Sequence, residues 1–204
     1  RKETGNKVTI EHLLTHTSGI PNYTALPNVW NDSLRLPYQP EYILRTFCSG
    51  NLEFKPGTKY KYSNTDYFIL AQILEQLTDK PLAVLLKENI LLPTGMNDTG
   101  LDDNVNPVRN KALGYYRLAD KYINEPYIHV PNTIGTASIY STAYDMYLWD
   151  RILYTNKLLS SEKLRSYCSP HFSITPDYSY GFGWEFSRIA ITTNDTIETM
   201  EHSG

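Results

Sequence analysis

The apolar pattern of this chain changes its period once, at Pro176, and that change limits the fold more than any other feature of the sequence. Before it, helix signals recur between prolines and glycines. Thr9 can cap a short helix over Ile10 to His16 that stops at Ser18-Gly19 ahead of Pro21. Pro40 suits the first turn of a helix running to about Cys48, with Gly50 behind it. Lys55-Pro56-Gly57-Thr58 reads as a turn that delivers an extended Lys59 to Tyr62. Ser63-Asn64-Thr65-Asp66 then fits a capping box, and Leu70, Ile73, Leu74 and Leu77 recur at helical spacing behind it. Further helices are predicted over about Pro81 to Ile90, from a Thr142 cap to about Leu153, and behind Ser160 or Ser161, with a hairpin over Ala112 to Asn124 turning at Ala119-Asp120-Lys121. After Pro176 the texture is that of strands: Gly181 to Ile191 and Thr196 to His202, joined at Thr193-Asn194-Asp195. The expectation is an α+β fold, with a mostly helical lobe over residues 1–176 and strands of an antiparallel sheet over 177–204.

Composition narrows the function classes. The 204 residues are 41% hydrophobic and 20% charged, enough for a substantial core. Net charge is −3 with both signs interspersed, so no electrostatic footprint for nucleic acid or an anionic membrane exists and the expected ligand is small. No stretch approaches the roughly 20 apolar residues of a membrane span. The chain opens on Arg1-Lys2-Glu3, with neither an initiator methionine nor a signal peptide. Cys48 and Cys168 are too few for a disulfide framework and read as separate thiols. Asn22, Asn31, Asn97 and Asn194 head Asn-x-Ser/Thr triplets, frequent by chance in an Asn-rich chain. Trp30 and Trp149 read as core and Trp184 as a strand anchor. His12 and His16 fall on one helix face as zinc ligands do, but without an intervening HExxH glutamate or a third ligand the expected role is structural, and no metal or other cofactor is expected.

Tyr62-Ser63-Asn64 is the stretch with chemical interest. A tyrosine just outside a helix N-terminus is near the positive end of the macrodipole, which favours a phenolate, but by only about 0.3–1 kcal/mol. From an ordinary pKa near 10, a phenolate common at pH 7 needs about 4 kcal/mol. A cation must supply the rest. Asn64 offers an amide that can donate to a substrate carbonyl and accept from a neighbouring ammonium. From spacing alone, a buried tyrosine followed by ordinary helix capping is the competing reading.

The segments VTIEHLLTHTSGIPNY (Val8 to Tyr23), FKPGTKYKYSNTDY (Phe54 to Tyr67), PTGMNDTGL (Pro93 to Leu101), STAYDMYLW (Ser141 to Trp149), YGFGW (Tyr180 to Trp184) and HSG (His202 to Gly204) together resemble the serine β-lactamase and penicillin-binding protein superfamily, in its class C and D-Ala-D-Ala carboxypeptidase-like branch. The resemblance implies a β-lactamase/transpeptidase-like α+β fold and a cleft where three boxes meet: a Ser-x-x-Lys with the nucleophile, a Tyr-x-Asn, and a Lys- or His-x-Gly strand. It implies Tyr62 as general base, Asn64 as a contact to the substrate amide, and His202, Ser203 and Gly204 as the third box, with His202 facing the substrate carboxylate directly or through Ser203. A histidine in place of lysine makes that wall a part-time cation and points away from a dedicated cephalosporinase, towards a peptidase- or esterase-like member.

The one Ser-x-x-Lys of the chain, Ser160 to Lys163, precedes a short mixed stretch ending at Pro170 and reads as an N-cap, not as the first box. The resemblance places the nucleophilic serine and its lysine upstream of Val8, and one oxyanion-hole N–H just beyond Gly204. The expected activity is acyl-enzyme hydrolysis of peptide, β-lactam or ester carbonyls in the cell envelope, with missing segments of the same polypeptide as partners in the cleft. The alternative is a non-catalytic relative that keeps the cleft for binding or sensing.

Overall fold

In the computed structural model the described residues are 5–30, 32–192 and 195–203. The first helix, α1 (Ile10–Leu14), starts at a Thr9 cap whose side chain accepts from the His12 amide, and the His12 ring accepts from the Thr9 amide in return. His12 is thus a capping residue. α1 ends before His16, which is in the left-handed region at φ 55°, so the two histidines do not share a helix face.

The chain then runs through two short 3-10 turns, Tyr23–Ala25 and Ser33–Arg35, to α2 (Pro40–Thr46), with Pro40 in its first turn as expected. α3 (Asn64–Thr78) follows the turn at Pro56-Gly57. Its N-cap is Ser63, but the expected capping box does not form: the Ser63 side chain makes no cap bond, and the Asp66 carboxylate instead faces Ser18 and His16. The buried face also differs from the leucine stripe. Thr65, Asp66, Phe68 and Ala71 are buried, while Leu74 and Leu77 are 46% and 79% exposed. The first two turns of α3 are therefore the part held in the core.

α4 (Leu82–Leu86) passes through a wider turn at Lys87–Leu91 into α5 (Leu92–Thr94), which Gly95 closes in the left-handed region. β1 (Gly100–Leu101) pairs antiparallel with β4 (Ile139–Tyr140), and between them β2 (Tyr115–Leu118) and β3 (Lys121–Asn124) form the predicted hairpin. Seven of its eight side chains are exposed, Ile123 alone being partly covered. α6 (Ala143–Ile152) is capped by Thr142, whose hydroxyl accepts from the Asp145 amide, and α7 (Ser161–Tyr167) by Ser160, which accepts from the Lys163 amide.

A four-stranded antiparallel sheet follows in the order β5 (Phe172–Thr175), β6 (Tyr178–Tyr180), β7 (Glu185–Ala190), β8 (Thr196–Glu201). β7 and β8 match the two expected strands, and the turn expected between them lies partly outside the described residues. The sheet starts earlier than the change of period suggests, because β5 and β6 are short strands on either side of Pro176-Asp177, and the alternation of Phe172 and Ile174 with Ser173 and Thr175 is too brief to mark a strand by itself.

The core gathers Tyr23, Val29, Leu34, Ile43, Cys48 and Phe68. The Tyr23 and Phe68 rings lie 5.6 Å apart, the Tyr23 hydroxyl donates to the Asn132 carbonyl, and its amide donates to Thr65 Oγ1. Asn132, fully buried, fastens the segment from Leu34 to Tyr38 to its own loop: Nδ2 donates to the carbonyls of Leu34 and Leu36, and Oδ1 accepts from the Tyr38 amide. Trp30 is exposed and Trp149 half-buried, so neither belongs to this core. Both cysteines are free, Cys48 buried with its thiol pushed up to about 12 by burial. No helix among the described residues is long and apolar enough to cross a membrane.

Candidate functional site

Three segments meet at Tyr62. The loop after α1 contributes its backbone: the amides of Glu53, Gly57 and Lys61 donate to the carbonyls of Gly19, Thr17 and His16. The segment leading to Tyr62 is therefore laced onto residues 16–19 like an added strand. Gly19 cannot be replaced without strain, since its φ is +75° and a Cβ there would come within 2.4 Å of the Phe54 carbonyl oxygen. From the other side, Tyr180 of β6 is fully buried against this seam, with its ring 5.0 Å from His16 and 5.3 Å from Tyr60. The sheet is thereby held against the helical lobe at the candidate cleft.

Tyr62 is 38% exposed, so its ring is at the surface of the cleft and not in the apolar interior. Its hydroxyl donates to Asn64 Oδ1 at 3.3 Å, and its ring centroid lies 6.0 Å from that of His202. Asn64 is held on two further sides: Nδ2 donates to Thr24 Oγ1 at 2.8 Å, and its amide donates to Asn22 Oδ1. That leaves one Nδ2 hydrogen of Asn64 for a substrate carbonyl. His202 Nε2 lies 3.2 Å from the Tyr180 hydroxyl, just past the end of β8. Ser203 is exposed beside it, and Gly204 lies outside the described residues. Tyr62, Asn64 and His202 thus come together. Ser160, by contrast, is occupied as a helix cap.

The electrostatics of Tyr62 run against a phenolate. Its partial burial, and then the Glu185 carboxylate, push its phenol above the ordinary tyrosine range. Tyr60, Tyr67 and Tyr180 are raised by burial as well, more strongly. No cation is among the groups that shift Tyr62 within the described residues, so its surroundings there favour the neutral phenol.

The sequence reading missed the residues underneath. His16 and Asp66, 1% and 0% exposed, form a buried pair with Nδ1 3.3 Å from Oδ2, and Ser18 Oγ donates to Asp66 Oδ1 at 2.5 Å. Tyr67, one residue on, donates its hydroxyl to the Leu14 carbonyl. Asn22 and Thr24, which orient Asn64, were likewise unassigned. The signal available was the polar run His16-Thr17-Ser18-Gly19 directly after an apolar helix, where solvent-exposed loop residues would need no such chemistry.

Comparisons with known proteins bear on the family and the fold. The chain is 31% identical to penicillin-binding protein 4* of Bacillus subtilis (strain 168), over 97% of this chain and 46% of that protein. It is 29% identical to the D-aminopeptidase of Brucella canis, over 88% of this chain and 35% of that one. Its fold superposes on the crystal structure of a D-stereospecific amidohydrolase from Streptomyces sp. with a TM-score of 0.79 at 22% identity, over 97% of this chain and 61% of that chain. The chain spans less than half the length of these two curated relatives. Its helices and antiparallel sheets are those of the β-lactamase/transpeptidase-like fold. All 204 residues match a single family description, and the chain belongs to the Beta-lactamase family.

Proposed function

We propose that this chain forms two facing sides of the active site of a serine hydrolase that works through an acyl-enzyme on small amides, peptides, β-lactams or esters. The observation that carries the reading is the convergence of Tyr62, Asn64 and His202 at one partly open surface, with the Tyr62 hydroxyl bonded to Asn64 and its ring facing His202. Relatives named as a penicillin-binding protein, a D-aminopeptidase and a D-stereospecific amidohydrolase support carbonyl substrates next to a D-configured centre.

In this reading the nucleophilic serine and its lysine come from another part of the same polypeptide. The lysine ammonium supplies the charge that the surroundings of Tyr62 withhold, and the Tyr62 phenolate takes the serine Oγ proton as Oγ attacks the carbonyl carbon. The tetrahedral intermediate collapses to acyl-serine, and the same proton passes from the Tyr62 phenol to the leaving amine or alkoxide. Water, deprotonated by Tyr62, then attacks the acyl carbon, and as the intermediate expels Oγ the Tyr62 phenol returns that proton to it, releasing serine and the acid. Asn64 holds the substrate amide, and His202 with Ser203 lines the facing side, towards the substrate carboxylate. No cofactor takes part. The cell envelope is the site of action that penicillin-binding relatives suggest.

Labelling of the full-length protein with a fluorescent penicillin and with a fluorophosphonate tests the reading. A covalent adduct in intact-protein mass spectrometry, located on a serine outside this chain, is the expected result. Absence of an adduct with both probes favours a non-catalytic binding or sensing relative, and an adduct on Ser160 would overturn its role as a cap.

A further inference from the structure

His16 is buried and in a left-handed backbone conformation uncommon for a residue with a side chain, and it is paired with a carboxylate equally withdrawn from water. Withdrawing two polar side chains from water costs free energy that apolar residues of the same size would not, so the pair asks for another explanation. Its surroundings give one. Nδ1 accepts from the Ser63 amide at 3.3 Å and lies at the same distance from Asp66 Oδ2. The carboxylate is held in turn by Ser18, whose hydroxyl oxygen accepts from the Ile20 amide at 3.0 Å. The His16 carbonyl accepts from the Lys61 amide, which fixes the residue before Tyr62.

The other ring nitrogen, Nε2, is buried without a hydrogen-bond partner among the described residues. Four tyrosine rings surround the imidazole: Tyr62 at 4.4 Å between centroids, Tyr180 at 5.0 Å, Tyr67 at 5.1 Å and Tyr60 at 6.3 Å. Tyr67 is anchored to the Leu14 carbonyl and Tyr180 to His202, which leaves Tyr62 as the nearest ring of the four and the one bonded to Asn64 in the cleft.

We propose that His16, oriented by Asp66 and Ser18, is a positioning residue for Tyr62, with its ring proton on Nε2 and that N–H turned towards the tyrosine ring. The inference rests on Tyr62 being the general base. The tautomer follows from the Ser63 amide: a nitrogen that accepts from an N–H carries no proton of its own, so the proton of the neutral imidazole is on Nε2. The 3.3 Å approach of Asp66 to the same nitrogen then requires the proton of that contact to sit on the carboxyl, and burial does push the Asp66 carboxyl up. An N–H directed at an aromatic ring is weakly attractive, and the attraction grows when the ring oxygen is ionised, because the contact is shielded from water. His16 would thus hold the ring where Asn64 meets it and favour the anion that Glu185 opposes.

Two measurements on the full-length protein test this. Ring 15N shifts of labelled histidine, assigned to His16 by loss of its signals in His16→Phe, are expected to show a protonated Nε2 and a bare Nδ1. Steady-state hydrolysis of a 4-nitrophenyl ester is expected to show kcat lowered about tenfold or more in His16→Phe with KM within about twofold, since positioning acts on the chemical step. Asp66→Asn, whose amide can donate to Nδ1 in place of the acid, is expected to keep kcat within about threefold of wild type. A proton on Nδ1 overturns the inference even if His16→Phe does not fold, and so does a folded His16→Phe with wild-type kcat while Tyr62→Phe is impaired. Equal turnover in Tyr62→Phe and wild type overturns the assignment of the base itself.

Discussion

Replacing Tyr62 with phenylalanine separates chemistry from folding more cleanly than any other change at this site. The substitution removes one oxygen and leaves the ring, and with it the 4.4 Å contact to His16 and the 6.0 Å approach to His202. The bond lost is the 3.3 Å donation to Asn64, long and partly exposed, so it contributes no more than about 0.5–1 kcal/mol to stability. Asn64 keeps its place through Thr24 and Asn22. As general base, by contrast, the oxygen is expected to contribute 10²- to 10⁴-fold to the rate, or about 2.7 to 5.5 kcal/mol of transition-state stabilisation. The two ranges do not overlap. Tyr62→Phe in the full-length protein should therefore melt within a few degrees of wild type while kcat/KM for a chromogenic penicillin or 4-nitrophenyl ester falls at least about a hundredfold. A folded variant within about fivefold of wild type would refute the role of the phenol oxygen.

Asn132→Ala is expected to destabilise the protein by about 2–4 kcal/mol, because it strips buried partners from the Tyr38 amide and the Leu34 and Leu36 carbonyls together; a loss below about 1 kcal/mol in urea unfolding would show that the loops re-pair without it. Asp66 gives a pH signature. Its carboxyl ordinarily titrates near 3.8 and burial raises it in the folded state, so between those two values the folded protein holds the extra proton. The stability contributed by this group is therefore present at low pH and lost as pH rises through the folded value. The difference in unfolding free energy between wild type and Asp66→Asn, followed from about pH 4 upwards, should shift in favour of the variant; a difference independent of pH would show that Asp66 titrates alike in both states.

What could be read from the sequence was local or ordered along the chain. Thr9, Thr142 and Ser160 cap helices as their neighbours suggest, since a cap depends on three or four consecutive residues. Tyr62, Asn64 and His202 were singled out by the order of their motifs, and the structure brings them together in space. Asp66 was misread because a capping box has the same spacing as the residues that here serve a different purpose; its true partners are 48 and 50 residues away. Leu74 and Leu77 obey a helical period yet face outward, as α3 is buried through its first two turns and not along its length. Trp30 shows the limit of size as a guide to burial. β5 and β6 are so short that the alternation of Phe172-Ser173-Ile174-Thr175 could not be told from chance.

The β2–β3 hairpin carries a consequence for dynamics. Its ladder is extended by the Glu125 amide donating to the Gly114 carbonyl, but its side chains cover almost nothing. A two-stranded ribbon without a buried face is marginal by itself. Its amides should trade protons for deuterons by local opening, far ahead of those at the base of α3, whose first turn lies in the core. Proteases should nick the tip at Ala119-Asp120 before any other described segment yields, leaving the seam beneath Tyr62 closed.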